Sequence, residues 1–195
     1  HGVKRVALLE RGWIGGGNTG RNTTIIRSNY FHPQSAALYD LSVSLYEGLT
    51  RELNYNIMFS QRGLVEIAHS EADLEVTARA ANAMRINGIP IELLSREQTL
   101  ALAPLLDPSP NTRWPVRGAL QQRRAGTARH DAVAWGYARA ADALGVHIIQ
   151  NCEVAGFEIA GGRVAAAKTS RGTIRAERFG MAVAGSSSAL AKLAG

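Results

Sequence analysis

The stretch GGGNTG, Gly15 to Gly20, has the spacing G-x-G-x-x-G. In a dinucleotide site that pattern turns the backbone tightly and delivers a pyrophosphate to the N-terminus of a helix. The chemistry needs a helix directly after the third glycine, because the unpaired N–H groups of the helix start hold the anion. The next ten residues are RNTTIIRSNY. Thr23, Thr24, Ile25 and Ile26 are consecutive β-branched residues of poor helix propensity, and no apolar stripe at helical spacing opens before Pro33. A pyrophosphate fingerprint is therefore rejected here. Just before the loop, the apolar run VALLE closes on an acid, Glu10. In a doubly wound dinucleotide domain a carboxylate ends the second strand about 20 residues beyond the fingerprint and accepts hydrogen bonds from the ribose hydroxyls. Glu10 is either that carboxylate, with the fingerprint upstream of His1, or an ordinary charge at a strand end.

Other reactive types are sparse. His130 lies beside a predicted helix start, where a histidine ordinarily caps or is solvated. His32, His69 and His147 have no context that assigns them a role. Cys152 is the single cysteine, so it forms no internal disulfide, has no C-x-x-C partner for zinc, and reads as a small buried hydrophobe. The net charge of +6 is modest. Arg123, Arg124 and Arg129 fall close together and are free to face nucleic acid, phosphate or water. No aromatic ladder or nucleic-acid motif accompanies them, so nucleic-acid binding is the weakest of these. No apolar run of about 18 residues is present to span a bilayer, and no secretory leader is visible, so the expected location is cytoplasmic.

The elements that must carry these residues alternate. Val6 to Leu9 reads as a buried strand. A helix starting near Pro33 places Leu38, Leu41, Leu45, Leu49 and Leu53 on one face. RGLVEIAH reads as a strand, SEADLEVTARAANAMRING as a helix stopped by Gly88, and IPIELL as a strand. SREQ reads as a capping box, Ser95 with Gln98, opening a brief helix before Pro104. After a proline-rich loop, RGALQQ is a strand, and GTARHDAVAWGYARAADALG is a helix with Val133, Tyr137, Ala140 and Leu144 as its stripe. VHIIQN comes next as a strand, then a meander turning at Gly161-Gly162 and near Gly172. FGMAVAG then reads as a buried strand entering SSSALAKLAG, a helix with serines at its cap.

Strands alternating with helices at both ends, around a middle without βαβ spacing, indicate an α/β fold. This pattern suggests a nucleotide-binding α/β layer interrupted by a second layer.

Together GGNTGRNTTIIRSNY, RAGTARHDAVAWGYARAADALGV, IIQNCEV and AVAGSSSALAKLAG resemble the beta subunits of heterotetrameric sarcosine oxidases, flavoenzymes of the D-amino-acid-oxidase-like superfamily. The resemblance runs through essentially the whole chain, and the absence of the glycine fingerprint and of a C-terminal portion marks the chain as an expected fragment. It implies a partial Rossmann-like FAD-binding domain of D-amino-acid-oxidase type with an inserted α+β substrate-side layer, divided as residues 1–30 for the second strand and flavin loop, 31–120 for the insertion, and 121–195 for the return with the meander and the FMN-attachment segment. It implies too that Glu10 holds the adenosine ribose of non-covalent FAD. The loop from Gly17 to Ile26 would wrap the flavin, with Asn18, Asn22, Thr23 and Thr24 as hydrogen-bonding residues. Arg27 would clamp the substrate carboxylate, for which a guanidinium fork is suited. His130 would carry FMN covalently, with Arg129 and the helix N-terminus supplying positive charge. Val154 would pass beside the adenine, and Ala184 and Gly185 would approach the pyrophosphate on a late strand.

The implied activity is oxidative demethylation of sarcosine, with electrons passing from FAD to FMN and then to oxygen. The implied partners are alpha, gamma and delta subunits, a small N-methyl amino acid, and tetrahydrofolate on a partner subunit, with neither nucleic acid nor membrane. Two alternatives stay open, namely a related FAD-dependent amine or amino-acid dehydrogenase without FMN, and a non-catalytic nucleotide-binding module.

Overall fold

A computed structural model describes residues 2–195, in two compact units. One comprises residues 2–21 with Tyr137–Gly195, and the other is Asn22–Gly136. The sequence reading draws its divisions at 30 and 120.

In the first unit, β1 (Ala7–Leu9) pairs in parallel with β7 (His147–Ile149), Leu8 opposite Ile148. An antiparallel meander continues the chain, β8 (Val154–Ala160), β9 (Arg163–Thr169) and β10 (Gly172–Arg175), in the order β10-β9-β8. Its turns fall where the glycines predict them, with Gly161, Gly162 and Gly172 all at positive φ. Two expectations fail in this unit. The strand at Val6 to Leu9 is not buried: Ala7 and Leu8 are exposed. Among the described residues β1 has only β7 beside it, so its apolar faces lack cover. FGMAVAG forms no strand either. Residues 176–183 hold no ladder partner, and Ala184–Ser186 is a 3₁₀ turn leading into α5 (Ser187–Lys192). An apolar run becomes a strand only where a neighbour accepts its backbone hydrogen bonds. The expected serine cap is also absent. Ser186 makes no side-chain cap bond, and Ser187 instead donates its hydroxyl to the Ala184 carbonyl at 2.7 Å.

The second unit is built on a three-stranded antiparallel sheet, β3 (Leu64–Ala68), β5 (Gly118–Gln122) and β4 (Glu92–Ser95), with the fully buried β5 in the centre. Its cluster of Ala36, Ala80, Ala81, Met84, Ile89, Ile91 and Leu120 joins α1 (Pro33–Glu52) and α2 (Glu71–Ile86) to that sheet. Each fully buried Leu, Ile or Met adds about 1.5–3 kcal/mol. Local signals set the ends of these elements. Ser70 caps α2 by accepting from the Asp73 N–H, Gly88 at φ +80° stops it, and the Ser95–Gln98 capping box opens α3 (Arg96–Leu102) as predicted.

The apolar stripes follow the prediction only in part, with Leu49 of the α1 stripe buried. On α1, Leu38, Leu41 and Leu45 are exposed, and the buried residues are Ala36, Val43 and Leu49. The buried side also carries Asp40 and Glu47, which meet Arg124: its guanidinium reaches Asp40 Oδ1 at 3.2 Å and Glu47 Oε2 at 3.0 Å. A small-residue face can approach a sheet more closely than a leucine face, and here an ion-pair network occupies the rest of that face. On α4 (His130–Ala143) the stripe Val133, Tyr137, Ala140, Leu144 is likewise not the buried one, since Tyr137 and Leu144 are exposed. The buried residue is Gly136, where a Cβ would come 3.1 Å from side-chain atoms of both Leu53 and Tyr55.

A second, smaller ladder lies beside the sheet. β2 (Ile25–Ile26) pairs antiparallel with β6 (Gly126–Thr127), and Thr127 exchanges two backbone hydrogen bonds with Ser60 on its other edge, at 2.8 and 3.0 Å. At Gly126 an added Cβ would overlap the Ser60 carbonyl oxygen and come 2.8 Å from Gln61 Cα. Both obstacles are backbone, so the strand must move.

This packing has two measurable consequences. Gly126→Ala should cost on the order of 3 kcal/mol in urea unfolding, against a change of about 0.5 kcal/mol or less for Gly180→Ala, where a Cβ meets open space. Glu47 is held below its ordinary value chiefly by the Arg124 hydrogen bond and next by that of Gln61. Its contribution is therefore complete at neutral pH and disappears as pH falls through the depressed value. Glu47→Gln should lower stability by about 1 kcal/mol at pH 7, with the gap to the unsubstituted protein closing in acid, as measured by urea unfolding at a series of pH values.

Candidate functional site

In the first unit the end of β1 turns into the glycine loop, and the chain after β7 straps that turn in place. Glu10 donates its N–H to the Ile149 carbonyl at 3.0 Å and accepts from Cys152 N–H at 2.9 Å, while Asn151 donates to the Gly12 carbonyl at 2.8 Å. The Gln150 side-chain oxygen accepts the Ile14 N–H at 2.8 Å. Glu10 Oε1 accepts the Gly12 N–H at 2.7 Å, leaving Oε2 to take a further donor. This is an acceptor at the carboxyl end of a parallel strand pair, the place where α/β sheets bind nucleotides, and its chemistry fits a ribose diol.

The loop residues are disposed as the rejected fingerprint implies. Gly20 N–H bonds back to Gly17 and the segment Asn18–Arg21 is a 3₁₀ turn, with no α-helix behind it. Asn18 is exposed, and a Cβ at Gly17 would meet nothing within 4 Å, so both sit on an open surface that permits close backbone approach. Val154 opens β8, half-buried and paired with Thr169. Ala184 and Gly185 lie in the exposed 3₁₀ turn and not on a strand, which corrects the expected strand setting. Ala184 holds φ +45°, a conformation costly for a residue with a Cβ. Cys152 is buried and free, as expected.

In the second unit Asn22 to Arg27 run past the start of α4. Thr23 is exposed. Thr24 sits at φ +61°, a rare state for a β-branched residue. Two bonds hold it there: its N–H donates to Asn22 Oδ1 at 2.7 Å, and its carbonyl accepts Ala128 N–H at 3.1 Å. Strain of this kind persists where the surroundings over-determine it, and such positions cluster at ligand sites. Ile26 pairs with Gly126 in the small ladder. Arg27 comes next, its guanidinium donating to Asn29 Oδ1 at 2.8 Å, reaching Glu66 Oε1 at 3.3 Å, and lying 4.9 Å from the centre of the Tyr30 ring. Tyr30 stacks on Tyr39 with centroids 4.0 Å apart. Its hydroxyl is raised above the ordinary range, first by burial and then by the Tyr39 hydrogen bond, with the Arg27 charge opposing both.

His130 is the first residue of α4. The preceding backbone is pinned from two sides, Arg129 N–H to the Ile57 carbonyl at 3.1 Å and Ala128 N–H to Thr24. Val133 N–H closes the first helical turn on the Arg129 carbonyl at 2.9 Å. His130 Nδ1 is buried with no hydrogen-bond partner among the described residues. An orphaned buried polar atom costs about 1–3 kcal/mol, and buried polar atoms are nearly always matched. A ring nitrogen left this way fits a residue that bonds a group outside the chain. The charge beside it differs from expectation: Arg129 forms a two-bond ion pair with Asp131 at 2.7 and 3.0 Å. That pair raises Arg129 and lowers Asp131, and it neutralises the guanidinium expected to polarise the site. The start of α4 contributes positive potential at this position.

The other clustered arginines are also spoken for. Arg123 pairs with Glu92, and Arg124 with Asp40 and Glu47. The three therefore form no free cationic patch. Among the described residues no group of three His, Cys, Asp or Glu could hold a metal, and no helix is long and apolar enough to cross a membrane. Sequence reasoning missed Gln150, Asn29, Glu66 and Gln122. Each acts through a contact to a residue far away in sequence.

Comparison with known proteins accords with this geometry. The chain is 52% identical over 194 residues to the sarcosine oxidase subunit beta of Rhizobium meliloti (strain 1021), covering 100% of this chain and 46% of that protein. It is 50% identical over 195 residues to the subunit of the same name from Rhodobacter capsulatus, covering 47% of that protein. The chain thus spans about half the length of the curated relatives it matches. The L-proline dehydrogenase of P. horikoshii superposes with a TM-score of 0.88 over 97% of this chain and 49% of that one, at 24% identity, a likeness of fold. The FAD dependent oxidoreductase family model matches residues 1–195, and with its mixed α/β fold and a strand-end carboxylate suited to a ribose the chain belongs to that family of flavoproteins.

Proposed function

We propose that the full-length protein is the beta subunit of a sarcosine-oxidising complex, catalysing oxidative demethylation of sarcosine to glycine. Bound FAD and FMN would supply the oxidising chemistry, accepting hydride equivalents and passing electrons to oxygen to give hydrogen peroxide. This chain's residues would bind and orient. Glu10 takes the adenosine ribose of non-covalent FAD. The loop Gly17 to Ile26, with Asn18, Asn22, Thr23 and Thr24, lies along the flavin, while Val154, Ala184 and Gly185 give close backbone approach to the rest of the dinucleotide. Arg27 binds the substrate carboxylate as a charged fork. His130 is the point of covalent FMN attachment, through a ring nitrogen acting as nucleophile, which requires neutral imidazole. The partners are alpha, gamma and delta subunits, and the one-carbon unit is released to water or taken by tetrahydrofolate on a partner, in the cytoplasm.

The observation that carries this reading is the orphaned, buried Nδ1 of His130 at a pinned helix start, in a chain about 50% identical to two sarcosine oxidase beta subunits. One observation favours the alternative, an FAD-dependent amine dehydrogenase without FMN: Asp131 neutralises Arg129, the cation adjacent to His130 in sequence.

The two separate on acid precipitation of the full-length holoenzyme. The unsubstituted enzyme should keep part of its yellow colour in the pellet. His130→Ala should release all of it while retaining FAD before precipitation. Acid-stable flavin in that variant, or an unmodified mass for the His130 peptide of the native enzyme, would refute the FMN assignment.

A further inference from the structure

The surroundings of Arg27 are asymmetric. Its Nη1 is held by the side-chain oxygen of Asn29 at 2.8 Å and reaches Glu66 Oε1 at 3.3 Å. Asn29 is itself buried, 4% exposed, and its Nδ2 donates to the same Glu66 oxygen at 2.6 Å. Glu66 stands in the middle of β3, paired with Leu120 of the central strand, so the chain of contacts ends on a fixed element. The Tyr30 ring, backed by Tyr39, lies 4.9 Å from the guanidinium carbon, and the Tyr30 hydroxyl also interacts with Arg27. The backbone between Arg27 and Asn29 is locked as well. Gln122, fully buried, accepts the Ser28 N–H at 3.0 Å and donates to the Ser28 hydroxyl at 2.6 Å.

Nη1 is thereby occupied by Asn29 and Glu66, while Nε and Nη2 bond to neither. Those two nitrogens form one edge of the planar fork, the edge that meets two carboxylate oxygens in a bidentate pair. Were Arg27 free to rotate, it would lose rotamer entropy on each binding event, and a prearranged fork removes that cost.

We propose that Asn29 and Glu66 are positioning residues that hold Arg27 by one nitrogen and present its opposite edge to a carboxylate, making them determinants of acid substrates over neutral ones. The proposal rests on the reading of Arg27 as the substrate-carboxylate residue. Glu66 orients Asn29, Asn29 orients Arg27, and neither touches the substrate.

The test compares sarcosine with its methyl ester as substrates of the full-length holoenzyme, and uses acetate as a competitive inhibitor. Asn29→Ala and Glu66→Ala should each reduce the ratio of kcat/KM for acid over ester by about tenfold, the size of one charge-assisted hydrogen bond. The loss should appear in KM for the acid and in a weaker acetate Ki, with kcat little changed. Glu66→Gln should retain most of the ratio, because its amide oxygen still accepts from Asn29. An equal fall for both substrates, or unchanged acetate inhibition, would overturn the proposal, since a general structural defect does not discriminate acid from ester. Arg27→Ala separates the two levels. If it leaves the ratio intact, the Arg27 reading itself fails. If it collapses the ratio while Asn29→Ala does not, the positioning role alone fails.

Discussion

Everything arranged in the second unit hangs on a two-residue strand bonded along both edges. Thr127 exchanges backbone hydrogen bonds with Ser60 on one side, while Gly126 and Thr127 pair with Ile26 and Ile25 on the other. Three backbones approach so closely at this point that residue 126 has no room for a Cβ. The consequence is geometric. Arg27 leaves one end of the ladder one residue after Ile26, and His130 leaves the other three residues after Thr127. Since neither strand can slip by one residue without turning its side chains to the other face, the separation of these two groups is set by main-chain bonds and not by the packing of their own side chains.

Polar locks carry that constraint outward. Ser28 is gripped by Gln122 through both backbone and hydroxyl, and its hydroxyl also reaches Asp40 at 3.1 Å. Asp40 in turn meets Arg124, which meets Glu47, whose carboxylate accepts from Gln61 at 2.8 Å. This network ties α1 to the turn between β5 and β6. It explains why α1 presents Asp40 and Glu47 beside Ala36 and Val43 toward the sheet and leaves three leucines in solvent. A buried amide such as Gln122 is tolerated because its oxygen and nitrogen are each matched; an apolar residue there would strand the Ser28 N–H at a cost of about 1–3 kcal/mol.

What the sequence revealed divides along the range of the interaction. Glycine turns at 161–162 and 172, the stop at Gly88, the Ser95–Gln98 box and the failure of GGGNTG to open a helix depend on a few adjacent residues, and each is found as read. The leucine stripe of α1 and the stripe of α4 depend on which partner surface arrives, and periodicity alone misplaces most of the buried positions, Leu49 excepted. FGMAVAG failed for a related reason, because its apolar run finds no ladder neighbour among the described residues. Glu10, Arg27 and His130 are proposed as site residues chiefly because their flanking motifs resemble a family. Their supporting residues were not. Gln150 meets Ile14 across 136 positions, Gln122 meets Ser28 across 94, and Glu66 meets Asn29 across 37. A polar residue inside an apolar strand, as in GALQQ or LVEIA, is the one local hint that a partner exists.

Set against this matched interior, the unmatched atoms become informative. Buried Gln122, Ser28, Asn29 and Thr99 all find partners, and the two buried side-chain atoms among the described residues that do not are Thr112 Oγ1 and His130 Nδ1. The threonine lies in the proline-rich loop before β5, where nothing in the ladder constrains it. The histidine is different, because main-chain bonds from Ile57 and Thr24 fix the two residues before it and the first turn of α4 fixes the residues after it. Its backbone cannot shift to find an acceptor. A fold that spends strain at Thr24 and a close backbone approach at Gly126 to hold one imidazole with an idle nitrogen gains stability from neither. Such an arrangement fits the proposed attachment of a group to the idle nitrogen, for which Asp131 neutralises Arg129 and the start of α4 contributes positive potential.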